Sequence, residues 1–256
     1  MLLTRHRGTT STLATEKDMD LPLHAPQVEP LNTTKINNPE VKQWISSLGE
    51  KTKMRKRQKT NARKEDIATL LQANIIERCT KDQIRVTGSL FSVVERAKNR
   101  RRAIYWPKAL NSAIEHLKPH VDLIDPIEHA RVDKNIFAAT FDLKASFYQV
   151  ELPEETKKMF GIMCESGCFR FCRLPMGFSI SPFVMNEITK QAAEAAHTDT
   201  VKAEAYIDNV RLTSNNRQKL EEACKKFRSH CNGNNITLND EPGNEIHQHG
   251  DFLGMS

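Results

Sequence analysis

Ile136-Phe137-Ala138-Ala139-Thr140-Phe141-Asp142 is a short, nearly continuous apolar run closed by a carboxylate. A run of that length without polar alternation fits a strand buried on both faces better than a helix. Asp142 then stands at a sheet end. Downstream, Ala205-Tyr206-Ile207 and Val210-Arg211-Leu212-Thr213 flank Asp208-Asn209, and two β-prone runs separated by two turn-forming residues read as a tight hairpin. Laid beside the first strand, that hairpin brings Asp142 and Asp208 to one point. Two converging carboxylates repel unless a cation sits between them, and hard oxygen ligands suit Mg²⁺. Each acidic position alone has a plainer account. Asp-Asn is common at hairpin turns because both residues tolerate positive φ, and an Asp at a strand end is ordinarily solvated. The joint pattern separates the two accounts.

Phe141-Asp142-Leu143-Lys144-Ala145-Ser146-Phe147-Tyr148-Gln149-Val150, then Leu174-Pro175-Met176-Gly177-Phe178 with Ser181-Pro182-Phe183, then Tyr206-Ile207-Asp208-Asn209, and finally Phe252-Leu253-Gly254-Met255 follow in that order. Together they resemble the motifs of the reverse transcriptases of retroviruses and retrotransposons, with retrotransposon polymerases the nearest likeness. The resemblance implies an α+β fold, the fingers and palm of a right-handed polymerase, in which an antiparallel sheet is backed by helices. It also implies RNA-directed DNA polymerase activity: a primer is extended by two-metal-ion nucleotidyl transfer, with ions roughly 3.5 to 4 Å apart.

By the same resemblance Asp142, Asp208 and Asn209 are catalytic, and Asp142, Leu143, Asp208 and Asn209 hold two Mg²⁺, with Mn²⁺ an alternative. Phe147, five residues after Asp142, occupies the place of the aromatic that blocks a ribose 2′ hydroxyl. Many RNA-templated RNA polymerases carry a second Asp at that offset, so Phe147 favours a DNA-making enzyme. Met176 and Gly177 lie on the turn that admits the incoming nucleotide, and Leu253 and Gly254 belong to the primer grip. Arg102 and Asn111, nine residues apart, match the spacing of an Arg that grips the nucleotide phosphates and its Asn, although Trp106 stands where the family often has an acidic residue. The implied partners are an RNA template, a DNA or RNA primer and deoxynucleoside triphosphates.

Two positions depart from the family pattern. Asn209 replaces the second Asp of the box, which removes a charge and keeps a ligating oxygen. Thr237-Leu238-Asn239-Asp240-Glu241-Pro242 contains no Lys where many relatives carry one proposed to protonate pyrophosphate. These departures keep a second reading open, a catalytically weakened or inactive nucleic-acid-binding fragment derived from such an enzyme.

The expected division places a largely disordered basic leader at 1–61, fingers at 62–115, palm at 116–149, fingers again at 150–180, and palm at 181–256. The chain ends at Ser256, so thumb and RNase H are expected to be absent, or supplied by a second chain. The 256 residues carry a net charge of +6, which allows a nucleic-acid partner and is also compatible with many soluble proteins. Met1-Leu2-Leu3-Thr4-Arg5 opens no secretory signal, and no apolar run reaches the roughly 18 residues that span a bilayer. A protein of the nucleus or cytoplasm, with no membrane partner and with free thiols, is expected.

Several local features complete the reading. Lys51 to Lys64 is rich in Lys and Arg, fitting phosphate contact, nuclear import or a solvated linker alike. Arg96, Lys98, Arg100, Arg101 and Arg102 crowd an expected hairpin turn. Ile67, Leu70, Leu71, Ile75 and Ile76 suggest one amphipathic helix, and Ser181 reads as the cap of another whose apolar side includes Ala195. His116 and His120 have a metal-compatible spacing on an expected helix, and His247 and His249 lie close together. Neither pair has further ligands nearby. Cys164, Cys168 and Cys172 lack a usual zinc spacing and read as packing thiols.

Overall fold

The computed structural model describes residues 11–121, 123, 136–239 and 246–248. In chain order the strands are β1 Thr12–Leu13, β2 Leu23–His24, β3 Ile76–Arg78, β4 Ser89–Glu95, β5 Arg100–Trp106, β6 Phe137–Asp142, β7 Gly161–Cys164, β8 Gly167–Phe171, β9 Lys202–Tyr206, β10 Asn209–Ser214 and β11 His247–Gln248. They form three sheets with strand orders β1-β4-β5-β2, β11-β6-β10-β9 and β3-β8-β7. Helices and mainly antiparallel sheets mix in an α+β fold, as expected.

β6, which carries Asp142, is an inner strand of its sheet. It lies between β11 and β10, and the helices Ser181–Glu194 and Arg217–Gly233 pack side by side against that sheet. The apolar side of the second helix, Leu220, Ala223, Phe227 and Cys231, is buried, and Phe227 meets Phe141 of β6 at 4.7 Å between ring centres. Each such large side chain stabilises by roughly 1.5–3 kcal/mol on leaving water. In the first helix Phe183, Val184, Ile188 and Ala192 are buried as their spacing predicts, while Ala195 lies past the helix end and is exposed. Ser181 is the first helical residue and not the cap. Its hydroxyl donates to the Pro175 carbonyl at 2.8 Å, tying the helix to the turn before it.

The disordered leader is corrected from residue 11 onward. Asn38 caps a helix at Pro39–Ser46 by accepting from Glu40 and Val41 N–H, and Pro39 sits where its missing N–H costs nothing. Val41, Trp44, Ile45 and Leu48 are buried in the main core. The segment is then tied down by partners distant in sequence. Leu31 N–H donates to the Gln149 carbonyl, Asn32 N–H to the Asn234 carbonyl, and the Thr156 hydroxyl to the Ile45 carbonyl. Composition undercounted the apolar residues that turn inward, since Val28, Leu31 and Ile36 are buried as well, while Leu13 is exposed.

Two further boundaries shift. The helix Lys64–Gln72 ends before Asn74, which has a φ of +56°, so Ile75 and Ile76 leave the helix and Ile76 opens β3. The expected helix around His116 and His120 is two pieces, Lys108–Ala113 and a 3₁₀ turn Glu115–Leu117, and His120 follows Pro119 outside both. The histidines therefore do not share a helical face.

Candidate active site

β6 and β10 are antiparallel neighbours with Asn209 opposite Asp142, Val210 opposite Phe141 and Arg211 opposite Thr140. β9 and β10 form the expected hairpin, but its register differs by one residue. Asn209 pairs with Tyr206, so the two turn residues are Ile207 and Asp208, and Asn209 is the first residue of the strand. Ile207 adopts a φ of +54°, a conformation costly for a β-branched side chain. Two contacts hold it there. Its side chain is buried, and its N–H donates at 3.0 Å to the amide oxygen of Asn186, a fully buried residue of the helix Ser181–Glu194. The strained turn sets Asp208 beside β6, where its carbonyl accepts from Leu143 N–H at 3.0 Å.

Amide and hydroxyl donors surround both carboxylates. Asp208 accepts from the Ser146 hydroxyl and the Asn209 amide, each at 3.1 Å. Asp142 accepts from the Asn239 side chain at 2.7 Å, and the Asn239 backbone N–H donates to the Asp142 carbonyl at 2.8 Å. Gln149, wholly buried, braces the loop between them: its amide donates to the Lys144 and Thr237 carbonyls and accepts from Thr237 N–H. The structure thus brings Asp142, Leu143, Asp208 and Asn209 together. Asn239, Ser146, Gln149 and Asn186 were not singled out from sequence. Gln149 and Ser146 had a signal there as members of the first motif, and Asn239 as part of the Thr237–Pro242 segment, whereas Asn186 had none.

Phe147 lies on the 3₁₀ turn Ser146–Gln149 that follows Ala145 at φ +44°, and most of its ring is buried in the core. Gly177 has a φ of +110°, and a Cβ there would come within 2.1 Å of the Tyr105 carbonyl oxygen. The close approach it permits within the chain is therefore to β5. Met176 sits on the same turn, its carbonyl accepting from Tyr105 N–H at 2.8 Å. Asn111 clamps this turn from the other side, donating to the Gly177 carbonyl and accepting from Ser179 N–H at 3.0 Å each.

Arg102 differs from the simple expectation of a cation waiting for phosphate. Its guanidinium is paired with Glu95 and lies 4.0 Å from the Met176 sulfur. Glu95 also receives Arg100 at 2.6 Å. Burial alone would raise the Glu95 carboxyl, but Arg102 and Arg100 together hold it below the ordinary range. The arginines expected at the turn lie instead in β5, whose alternation buries Arg101 against Asp66. Arg102 and Asn111 converge on the turn carrying Met176 and Gly177, so their spacing reports a common neighbour.

The oxygen-only set at this corner, two carboxylates with an amide and main-chain carbonyls, matches a hard divalent cation in donor chemistry. The thiols do not offer an alternative. Burial pushes Cys79 up to about 11 and Cys172 up to about 12, which keeps both protonated at neutral pH. Among the described residues no three His, Cys, Asp or Glu side chains gather as a metal site. The primer-grip positions Leu253 and Gly254, together with Phe252, Met255 and His249, lie outside the described residues. No helix among those described is long and apolar enough to cross a membrane.

Comparison with known proteins identifies the family. The profile of the reverse transcriptase (RNA-dependent DNA polymerase) family matches residues 81–256. The enzymatic polyprotein of figwort mosaic virus is 27% identical over 124 residues, covering 47% of this chain and 18% of that protein. That of cauliflower mosaic virus (strain Strasbourg) is 22% identical over 189 residues, covering 74% of this chain and 27% of that one. The chain therefore spans about a quarter or less of these relatives. Among solved structures, the native protease-reverse transcriptase of prototype foamy virus superimposes with a TM-score of 0.58 at 14% identity, over 87% of this chain and 29% of that one. The foamy viral enzyme in complex with double-stranded DNA gives 0.55 at 14% identity, over 80% and 41%. With its profile spanning more than half of the residues and its fold shared with these enzymes, the chain belongs to the reverse transcriptase family.

Proposed function

We propose that this chain catalyses RNA-directed DNA synthesis in a retrotransposon, using Asp142 and Asp208 at the β6–β10 corner. The observation that carries this reading is the register that sets Asn209 opposite Asp142 and places Asp208 on the adjoining turn. In this assignment residues 62–115 and 150–180 serve as fingers and residues 116–149 and 181–256 as palm. Asp142, Asp208, the Leu143 main chain and the Asn209 amide oxygen would hold two Mg²⁺ ions. Bound there, these ions activate a primer 3′ hydroxyl and stabilise departing pyrophosphate.

The remaining work falls to the protein itself. Asn186 holds the Ile207 turn and so fixes Asp208. Phe147 excludes a ribose 2′ hydroxyl by filling its space. Arg102 and Asn111 position the Met176-Gly177 turn beneath the incoming nucleotide, and Arg102 engages its phosphates by exchanging Glu95 for them. Template RNA, a DNA or RNA primer and deoxynucleoside triphosphates are the partners, a second chain supplies thumb or RNase H, and the nucleus or cytoplasm is the setting. The solved foamy viral complex with DNA supports a nucleic-acid partner.

One observation favours a weakened catalyst. Asn209 and Asn239 each donate to one of the carboxylates, and a cation must compete with these amides. Primer extension on an RNA template, with deoxynucleotides or ribonucleotides and in Mg²⁺ or Mn²⁺, tests both readings. Deoxynucleotide extension that disappears in Asp142→Ala supports the polymerase, and ribonucleotide use that rises in Phe147→Val supports the gate. Intact RNA binding without extension in either metal supports the weakened derivative.

A further inference from the structure

Lys53, Arg55, Lys56, Arg57 and Lys59 lie in a run without an acidic residue, and all five are exposed. The run is held in place by its main chain. Lys56 N–H donates to the Arg85 carbonyl, its carbonyl accepts from Thr87 N–H, and Thr60 N–H donates to the Met163 carbonyl at 2.7 Å. Gln58 exchanges two further bonds with the Thr87 hydroxyl, donating through its N–H at 2.8 Å and accepting through its carbonyl at 3.1 Å. Residues 56–60 are thereby added beside the 85–87 segment, which is itself joined to the edge of β7 through the Thr87–Gly161 bridge.

These anchors fall on residues 56, 58 and 60, and they use backbone atoms, leaving the long side chains in solvent. Arg57 caps the Lys81 carbonyl at 2.8 Å. Lys53, Arg55, Lys56 and Lys59 make no ion pair among the described residues. Lys53, Arg55 and Lys59 share one parity with Arg57, while Lys56 has the other; along an extended chain, alternate side chains repeat every ~6.8 Å, a spacing comparable with successive phosphates of a stretched single strand. The strip ends at a cavity of about 460 Å³ whose wall includes Thr60, Asn61, Arg63 and Lys64. The Thr60 and Ser166 hydroxyl oxygens in this wall are buried and have no protein hydrogen-bond partner.

We propose that residues 53–59 form a phosphate track for one strand of single-stranded RNA, outside the Asp142–Asp208 corner. Three cations of one parity, Lys53, Arg55 and Lys59, which make no ion pair among the described residues, provide electrostatic affinity without base readout. A solvated linker would not need its main chain anchored at residues 56, 58 and 60. The track takes RNA as its strand from the proposed polymerase function, but its binding does not require catalysis.

Fluorescence anisotropy with a labelled, unstructured RNA oligonucleotide, titrated across salt concentrations, tests the track. Lys53, Arg55 and Lys59 are replaced together by Ala and, in a second variant, exchanged Lys for Arg and Arg for Lys. The Ala variant should lower the slope of log affinity against log salt by about 2, from three contacts at ~0.7 each. Its affinity at about 50 mM salt should fall on the order of tenfold or more, while the charge-preserving variant binds as the wild type does. An unchanged slope in the Ala variant overturns the track, as does an equal loss in the charge-preserving variant. Equal losses on blunt duplex overturn the single-strand assignment. RNA binding that is unchanged while capture by a nuclear import receptor is lost would assign the strip to import instead. Binding is read without turnover, so a catalytically silent chain leaves this test intact, and a failed track leaves the polymerase reading intact.

Discussion

The runs 53–59 and 96–102 each place five basic side chains in seven residues, yet the fold treats them in opposite ways. In the second run acids from three elements come to meet the charge. Asp66 takes Arg101, Glu95 takes Arg100 and Arg102, and Asp18 lies 3.6 Å from Arg96. In the first run Lys53, Arg55, Lys56 and Lys59 have no such acid among the described residues. A basic run in a sequence therefore has no fixed meaning. Where acids are folded against it, the run is part of the scaffold; where they are not, its charge remains available to a polyanion.

Arg101→Ala should break this contrast most severely. It leaves Asp66 buried without its bidentate partner, and the expected cost is about 3–5 kcal/mol in chemical denaturation. Replacing the pair together by Asp66→Asn and Arg101→Met should recover part of that loss. Glu95→Gln is expected to cost about 2 kcal/mol, because Arg100 and Arg102 lose a charged acceptor. A negligible change in either case would place the second run with the first, as dispensable surface charge.

Acid should loosen the second run alone. Burial, and then the positive charge of Arg100, lower His24 to about 4 from 6.5, so the folded protein keeps the ring neutral where the unfolded chain protonates it. The fold thus loses stability as pH falls from about 6.5 to about 4. Glu95 acts in the same direction: its carboxyl is lowered, so its contribution is present above its unfolded value and is lost as pH falls through the folded one. Amide protection factors in β2 and β5, corrected for the pH dependence of intrinsic exchange, should fall between about pH 7 and about pH 5, less so in His24→Gln. The smallest effect belongs to the first run. Removing Lys53, Arg55, Lys56 and Lys59 should change stability by no more than about 0.5 kcal/mol, and a larger loss would show that these side chains support the fold.

The sequence made the β6–β10 corner legible because its signals are local. β6 is a short apolar run, the hairpin is two β-prone runs, and the order of motifs supplies the rest. The one-residue error in the turn has a tertiary cause. Asp-Asn is the better turn pair by propensity, but Asn186, 21 residues away, holds Ile207 in the left-handed conformation instead. The Asn239 bond to Asp142 was illegible for a similar reason, since it spans 97 residues. The leader hid its order because its anchors join isolated polar atoms to distant backbone. Strand parity in β5 did offer a signal that was missed: Arg101 and Arg102 must face opposite sides, so only one can share a surface with Met176.

The central claim, that Asp142 and Asp208 form a cation-dependent catalytic pair, is most directly tested by titrating primer extension with Mg²⁺. The wild type, Asp142→Ala and Asn209→Asp are compared on one RNA template with deoxynucleotides. The account predicts extension by the wild type, none by Asp142→Ala, and a lower Mg²⁺ requirement for Asn209→Asp, which restores a carboxylate to the corner. Extension that survives in Asp142→Ala, or that is missing from both other proteins at every Mg²⁺ concentration, would contradict it.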